Sequence, residues 1–281
     1  MYSVVAHRYW GSPGGGQLVC ASAAIALDNV GLKPILTGTF KFDPAKYVDW
    51  YGIDISRYEV YTLMPINIKA FGLWTRLYMW RPAMRVLSKY DVRALFIDDE
   101  TYKPLVKFRN SGLKVIEYIH FPLEVVVDPR FRGSGLAYGE DPYIMERYGR
   151  FPMNVYWGVF TKLLPRYIRE NPFNDADLVL TNSRWTAGVA KLVYGEEPTV
   201  LNPPIPPNMG VLGSVRAFEE RENLVVMLGR FSEEKRYHWV VRELMPGLLR
   251  KMPSVKLIIF GGATTRTQLG YVNRVAEMAR G

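Results

Sequence analysis

Short apolar runs alternate with longer amphipathic stretches along most of the chain. Compact, branched and aromatic runs predict strands at Ser3–Ala6, Pro34–Thr37, Glu59–Leu63, Ala94–Ile97, Lys114–Tyr118, Leu178–Thr181 and Thr199–Leu201. Stretches with a helical repeat predict helices at Gly16–Val30, Ile68–Lys89, Lys103–Asn110, Asn154–Arg169 and Ser183–Tyr194. Regular alternation of the two predicts an α/β fold, a doubly wound parallel sheet with helices on both faces. Ligands of such folds bind beyond the carboxyl ends of the strands, so the loops that follow strands are the places to look for chemistry.

The alternation breaks at Asn202-Pro203-Pro204-Ile205-Pro206-Pro207-Asn208, where proline removes donors and fixes φ. A charged, irregular stretch follows, and then a new cycle. Strand Leu224–Leu228, helix Lys235–Lys251, strand Val255–Phe260, a Gly261-Gly262 turn and helix Arg266–Ala279 are predicted. The expected division is a first Rossmann-like domain over 1–207, a linker over 208–222 and a second domain over 223–281. Two strand–helix units are few for a doubly wound domain, so the second is expected to be incomplete.

Composition narrows the partners. Of the 281 residues 48% are hydrophobic and 22% charged, enough apolar material for a real core, and the formal charge of +9 calls for an anionic partner. Charge alone does not choose among nucleic acid, nucleotide sugar and acidic membrane. No nucleic-acid-binding motif is present, which sets that class aside. Cys20 is the only cysteine, which excludes a disulfide framework and fits a reducing compartment, and no run approaches the length of a membrane span.

Five strand-end features carry candidate chemistry. Gly229-Arg230-Phe231-Ser232-Glu233-Glu234-Lys235 follows a strand and precedes a helical pattern, so Arg230 and Lys235 stand where a leaving diphosphate would sit. Gly14-Gly15-Gly16 lies between the first strand and first helix; it reads either as a cradle for phosphate or sugar oxygens or as an ordinary flexible turn. His120, in Tyr118-Ile119-His120-Phe121-Pro122, is placed to donate to a substrate hydroxyl or phosphate. His7 also follows a strand. Asn182-Ser183-Arg184 offers a helix cap in Ser183 and a possible phosphate contact in Arg184.

Asp98-Asp99-Glu100 reads either as a metal-binding cluster or, preferably, as a helix cap with acidic first-turn residues. The three histidines lie in no metal-ligand pattern, so neither metal nor other cofactor is expected. Two segments rich in aromatic and basic residues, one from Phe71 to Arg85 and one from Arg147 to Arg166, fit either a lipid interface or a core helix with a charged edge. Trp74, Tyr78 and Trp80 with Arg76, Arg81 and Arg85 carry the expectation of membrane contact.

These features occur together and in order in a known family. On the glycine loop, the Tyr118–Pro122 and Ala176–Thr186 segments, Val200-Leu201-Asn202-Pro203-Pro204, Arg230…Lys235 and Phe260-Gly261-Gly262, the chain resembles glycosyltransferase family 4, retaining enzymes with the two-domain GT-B fold. Within it, the chain is most similar to the α-1,2-mannosyltransferases of dolichol-linked oligosaccharide assembly. The resemblance implies a nucleotide-sugar donor, GDP-mannose foremost, a lipid-linked glycan acceptor, a place at the cytoplasmic face of a membrane, and no metal. It implies that Arg230 and Lys235 grip the donor diphosphate, that His120 meets the transferring sugar or adjacent phosphate, and that the glycine loop approaches the diphosphate with backbone N–H groups. The family also carries two glutamates eight positions apart downstream of the Arg/Lys pair. No such pair stands here; Glu277 comes too early. A fragment, or a split or non-catalytic subunit needing a complementary chain, is therefore the alternative expectation.

Overall fold

The computed structural model describes residues 1–66, 72–98, 100–131, 134, 148–210, 213–263 and 266–280. By contacts the described chain divides into two compact units: residues 1–134 with 151–210, and residues 213–280 with Tyr148–Arg150. Division by position along the chain does not anticipate that Tyr148–Arg150 join the second unit.

The first unit is built on a seven-stranded parallel sheet in the order β3-β2-β1-β4-β5-β6-β7. Its strands are β1 Tyr2–Ala6, β2 Lys33–Phe40, β3 Glu59–Met64, β4 Val92–Ile97, β5 Lys114–Ile119, β6 Leu178–Thr181 and β7 Thr199–Val200. Successive strand residues face opposite sides, and both sides are covered, which is why the strands read as continuous apolar runs. Val4, Ile35, Leu95, Ile97, Val115 and Ile119 pack in one core with Ala83 and Val86 of the helix Trp80–Lys89. Val5, Leu36, Phe96, Tyr118 and Leu180 pack in the other with Leu18, Val19, Cys20, Ala21 and Ala24 of the helix Gly15–Asn29. The strand order reverses between β1 and β4, and such a switch point opens a crevice at the carboxyl ends of the strands.

Several expected helices are interrupted, each at a proline or a local turn. The described part of the helix expected over 68–89 is two helices, Gly72–Tyr78 and Trp80–Lys89, with Pro82 in the first turn of the second. The helix expected over 154–169 is Met153–Leu163 followed by a 3₁₀ turn, Leu164–Arg166, centred on Pro165. Lys103–Val106 is helical and Lys107–Ser111 is 3₁₀. Short helices at Lys46–Tyr51 and Leu123–Val127 have no counterpart in the sequence pattern.

The aromatic segment after residue 71 is turned inward. Trp74, Tyr78 and Trp80 pack on the core, and Arg76 is buried in an ion pair with Glu100 at 2.5 Å. The three rings are half-buried, so part of each remains open beside the exposed Arg81 and Arg85. Phe71, Asp99 and Arg147 lie outside the described residues. No helix among the described residues is long and apolar enough to cross a membrane.

The second unit pairs β8 Leu224–Leu228 with β9 Lys256–Phe260 in parallel. Its helical segments cover one face, where Val225, Met227, Leu257 and Ile259 meet Tyr237, Val240, Met245 and Val275. Leu224, Val226, Leu228, Ile258 and Phe260 are exposed on the other. The helix expected over 235–251 begins later, at Tyr237, after a 3₁₀ turn Glu233–Lys235 and a left-handed Arg236 at φ 57°. A π-helical turn, Val240–Leu244, leads into Met245–Lys251, whose second residue, Pro246, has no N–H to offer the preceding turn.

Candidate active site

Neighbouring parallel strands β1, β4 and β5 end in a row, and the residue just past each end is polar. They are His7, Asp98 and His120. Asp98 stands on the middle strand, so both histidines reach it: His7 Nδ1 at 2.7 Å and His120 Nε2 at 3.1 Å, both to the same oxygen, Oδ2. The other ring nitrogen of His7 lies 3.0 Å from the Tyr9 carbonyl oxygen. The Asp98 side chain is only 2% exposed. Burial works against its charge, but the two histidines outweigh that and hold its carboxyl well below the usual carboxylate range.

The glycine loop closes over this row. Gly14 lies at the N-terminus of the helix Gly15–Asn29, its N–H donating to the Tyr51 hydroxyl at 2.6 Å and its carbonyl accepting from it at 2.9 Å. A methyl group on Gly16 would stand 3.0 Å from Asp98 Oδ2, 3.2 Å from His7 Cε1 and 3.3 Å from His120 Nε2. An added side chain at 16 would force its neighbours to give by a few tenths of an ångström, and the positive end of the helix faces the buried carboxylate. Gly16 and His120, chosen separately from the sequence, are brought together. Asn182 joins them by donating to the His120 carbonyl at 2.9 Å.

The cap reading of Asp98-Asp99-Glu100 is overturned for both described members. Tyr102 is the cap residue of the helix Lys103–Val106, and Asp98 and Glu100 are instead the buried partners of histidine and arginine. A locally plausible cap was outcompeted by charges that only tertiary structure delivers. The signal available was the one used for His120, a polar residue directly after an apolar strand.

Beside the row lies a cavity of about 60 Å³ lined by Arg76, Asp98, Glu100, Glu117, Tyr118, Ile119, His120, Phe121 and Arg169. Arg169 is almost fully buried and pairs with Glu117 at 2.6 Å and with Glu124, to which the Tyr194 hydroxyl also donates. Burial opposes the charge on Arg169, but Glu117 and its neighbours hold its pKa well above the ordinary arginine value. Burial likewise pushes the Tyr118 hydroxyl up to about 12.

His7, Cys20 and Asp98 each bring one potential metal-ligand atom within 4.8 Å of the others. Tetrahedral ligands about 2.0 Å from one zinc ion stand about 3.3 Å apart, whereas His7 Nδ1 and Asp98 Oδ2 are 2.7 Å apart. That spacing suits a shared proton.

Ser183 caps the helix Arg184–Tyr194 by accepting from Thr186 N at 3.2 Å. Arg184 is exposed at the first position of that helix, and the neighbouring Trp185 stacks on Phe121. In the second unit, Arg230 is 73% exposed and lies 3.6 Å from Glu234. Lys235 is also exposed, in the turn before left-handed Arg236, so neither cation sits at the start of a long helix. The loop is nonetheless fixed: Gly229 N donates to Phe260 O at 2.9 Å and Phe231 N to Gly262 O at 3.2 Å. A cavity of about 280 Å³ in this unit is lined by Phe231, Ser232, Glu233, Thr267, Gln268, Gly270, Tyr271 and Arg274, without Arg230 or Lys235.

No protein-family model matches the chain. Among curated proteins it is similar to the GDP-Man:Man(3)GlcNAc(2)-PP-Dol alpha-1,2-mannosyltransferase of Candida glabrata, 24% identical over 180 residues, which are 63% of this chain and 33% of that protein. The match thus spans about a third of the relative's length. Among solved structures it is similar to a glycosyltransferase from Rickettsia africae, with a TM-score of 0.54 and 12% identity over 99% of this chain and 65% of that one. Os79 from O. sativa follows at a TM-score of 0.43 and 12% identity, over 92% of this chain and 72% of that one. What the chain shares with the Rickettsia enzyme is its fold, a GT-B-like α/β architecture on a parallel sheet.

Proposed function

We propose that this chain is a glycosyltransferase, or the acceptor-side part of one, that uses a nucleotide-diphosphate sugar. The observation that carries the reading is the meeting of Gly16, His7, Asp98 and His120 at the switch point of the parallel sheet. A helix N-terminus with close backbone approach suits phosphate oxygens, and a fixed histidine suits a sugar hydroxyl or a phosphate. In transfer, the sugar's bond to the diphosphate breaks, a bond to an acceptor hydroxyl forms, and that hydroxyl's proton passes to the leaving phosphate.

Arg230 and Lys235 are assigned to the diphosphate, where two cations carried on a fixed loop stabilise the charge that grows as the bond breaks. Arg184 is assigned to an anionic group of the substrate. The named Candida relative supports GDP-mannose as donor and a lipid-linked glycan as acceptor; the cytoplasmic face of a membrane as the place of action rests on the resemblance to family 4. Retention of configuration rests on the resemblance to family 4. The domain limits 1–207, 208–222 and 223–281 are retained as the working division.

Purified chain incubated with labelled GDP-mannose, other nucleotide sugars and lipid-linked glycans tests this. Labelled glycolipid is expected with one donor, and Arg230→Ala or Lys235→Ala should lower kcat/KM by roughly 100-fold, the typical effect of losing one charge-stabilising contact. Neither transfer nor binding of any nucleotide sugar would overturn the reading. A second reading is favoured by the exposed apolar face of β8 and β9: a subunit that binds sugar but needs a complementary chain. Nucleotide-sugar or acceptor binding without transfer, restored by adding such a chain, selects it.

A further inference from the structure

Asp98 is held at the centre of the candidate site by its strand, and it uses only one of its two oxygens. Oδ2 accepts from His7 on one side and His120 on the other, while Oδ1 has no hydrogen-bond partner among the described residues. His7 Nδ1 faces a carboxylate oxygen, which can only accept, so that nitrogen carries a proton toward it. With His7 donating to Oδ2, His120 meets the same oxygen through Nε2, which therefore carries its proton. Both rings are fixed from the side as well, His7 edge-on to Trp10 and His120 edge-on to Tyr118.

We propose that Asp98 is a positioning residue, setting through one carboxylate oxygen both the Nε2–H of His120 and the Nδ1–H of His7. A carboxylate that holds a histidine in one tautomer and orientation determines which nitrogen is presented to a substrate. Here one carboxylate does this for two histidines at once, and the helix above them leaves little room for a side chain at Gly16. The ionisable groups around Asp98 are His7 from β1, Cys20 from the helix Gly15–Asn29, Tyr47 from the helix Lys46–Tyr51, and Tyr118 and His120 from β5 and its end, with Arg76, Glu100, Glu117 and Arg169 lining the adjoining cavity. The effect on rate rests on the glycosyl-transfer reading; the effect on the rings does not.

Nitrogen-15 NMR of the histidine rings tests it in the unmodified chain and in Asp98→Asn, which keeps the shape and removes the charge. In the wild type, His120 is expected to carry its proton on Nε2 and His7 on Nδ1, each toward the carboxylate. In Asp98→Asn, both rings are expected to become mixtures of tautomers. The same variant should lower kcat roughly 100-fold with little change in KM and shift the pH–rate profile, as misplaced tautomers do. A tautomer mixture for His120 in the wild type overturns the proposal even if the variant fails to fold. Unchanged ring signals in a folded Asp98→Asn, or its wild-type kcat and pH profile, overturn it as well. If the wild type transfers no sugar, the ring signals still decide, so the two readings fail separately.

Discussion

Asp98 also makes a statement about stability at the scale of single residues. Its folded-state pKa is depressed by His7 and His120 against the pull of burial. A depressed carboxyl contributes stability above its unfolded value, about 3.9, and that contribution is lost as pH falls through the folded value. Denaturant titrations should therefore show wild type more stable than Asp98→Asn at neutral pH, with the gap closing as pH falls below about 4. A gap independent of pH would mean that the carboxylate is not held ionised. Gly16→Ala is the companion test. Its methyl would lie 3.0 Å from Asp98 Oδ2, so the helix or the rings must shift. A loss of about 1–3 kcal/mol is expected, with weakened nucleotide-sugar binding. Unchanged stability and binding would show that the loop has room to spare. His120 and the glycines were legible from position alone, as polar or small residues directly after apolar strands. Asp98 was not, because an acid just before a helix satisfies a local capping pattern, and its real partners lie 91 residues before it and 22 after.

At the scale of elements, the loops after β8 and β9 approach until only glycine fits. A methyl on Gly261 would lie 1.8 Å from the Gly229 carbonyl oxygen, a contact no small adjustment relieves. Gly261→Ala should displace the loop that carries Arg230 and Lys235 and cost about 1–3 kcal/mol. Thermal melts and donor titration of that variant would check both, and wild-type values would contradict the packing. In the first unit, β5 carries Glu117 into the core against Arg169. Removing one member of a buried pair leaves an uncompensated charge, so Glu117→Gln should destabilise by about 3–5 kcal/mol in denaturant titrations. A near-neutral result would show that Glu124 alone suffices for Arg169. Helix interruptions were the least legible part of the element pattern. Apolar periodicity runs through Pro82, Pro165 and Pro246, while the backbone responds to each missing N–H.

At the scale of the whole molecule, the two units differ in how their sheets are covered. The first unit's sheet has a core on each face, whereas β8 and β9 show Leu228 81% and Phe260 53% exposed. Two strands with helices on one side bury little apolar surface to offset chain entropy. Residues Asn223–Gly281 expressed alone are expected to aggregate or remain largely unfolded. A soluble monomer of that segment with a cooperative melt would show it to be a complete small fold.

What the amino-acid sequence determined by itself was local and periodic. Short continuous apolar runs set the strands; β6 and β8 fall where the pattern places them, and their alternation with helical stretches set the α/β class. Ser183 capped its helix as its side chain dictates. Tertiary structure alone decided which strand ends are neighbours. The order β1-β4-β5 lines up His7, Asp98 and His120, and it turned Arg76 inward onto Glu100. The reason is physical. Propensity and capping act over a few residues, whereas burying a charge depends on partners that only the assembled sheet brings within hydrogen-bonding distance.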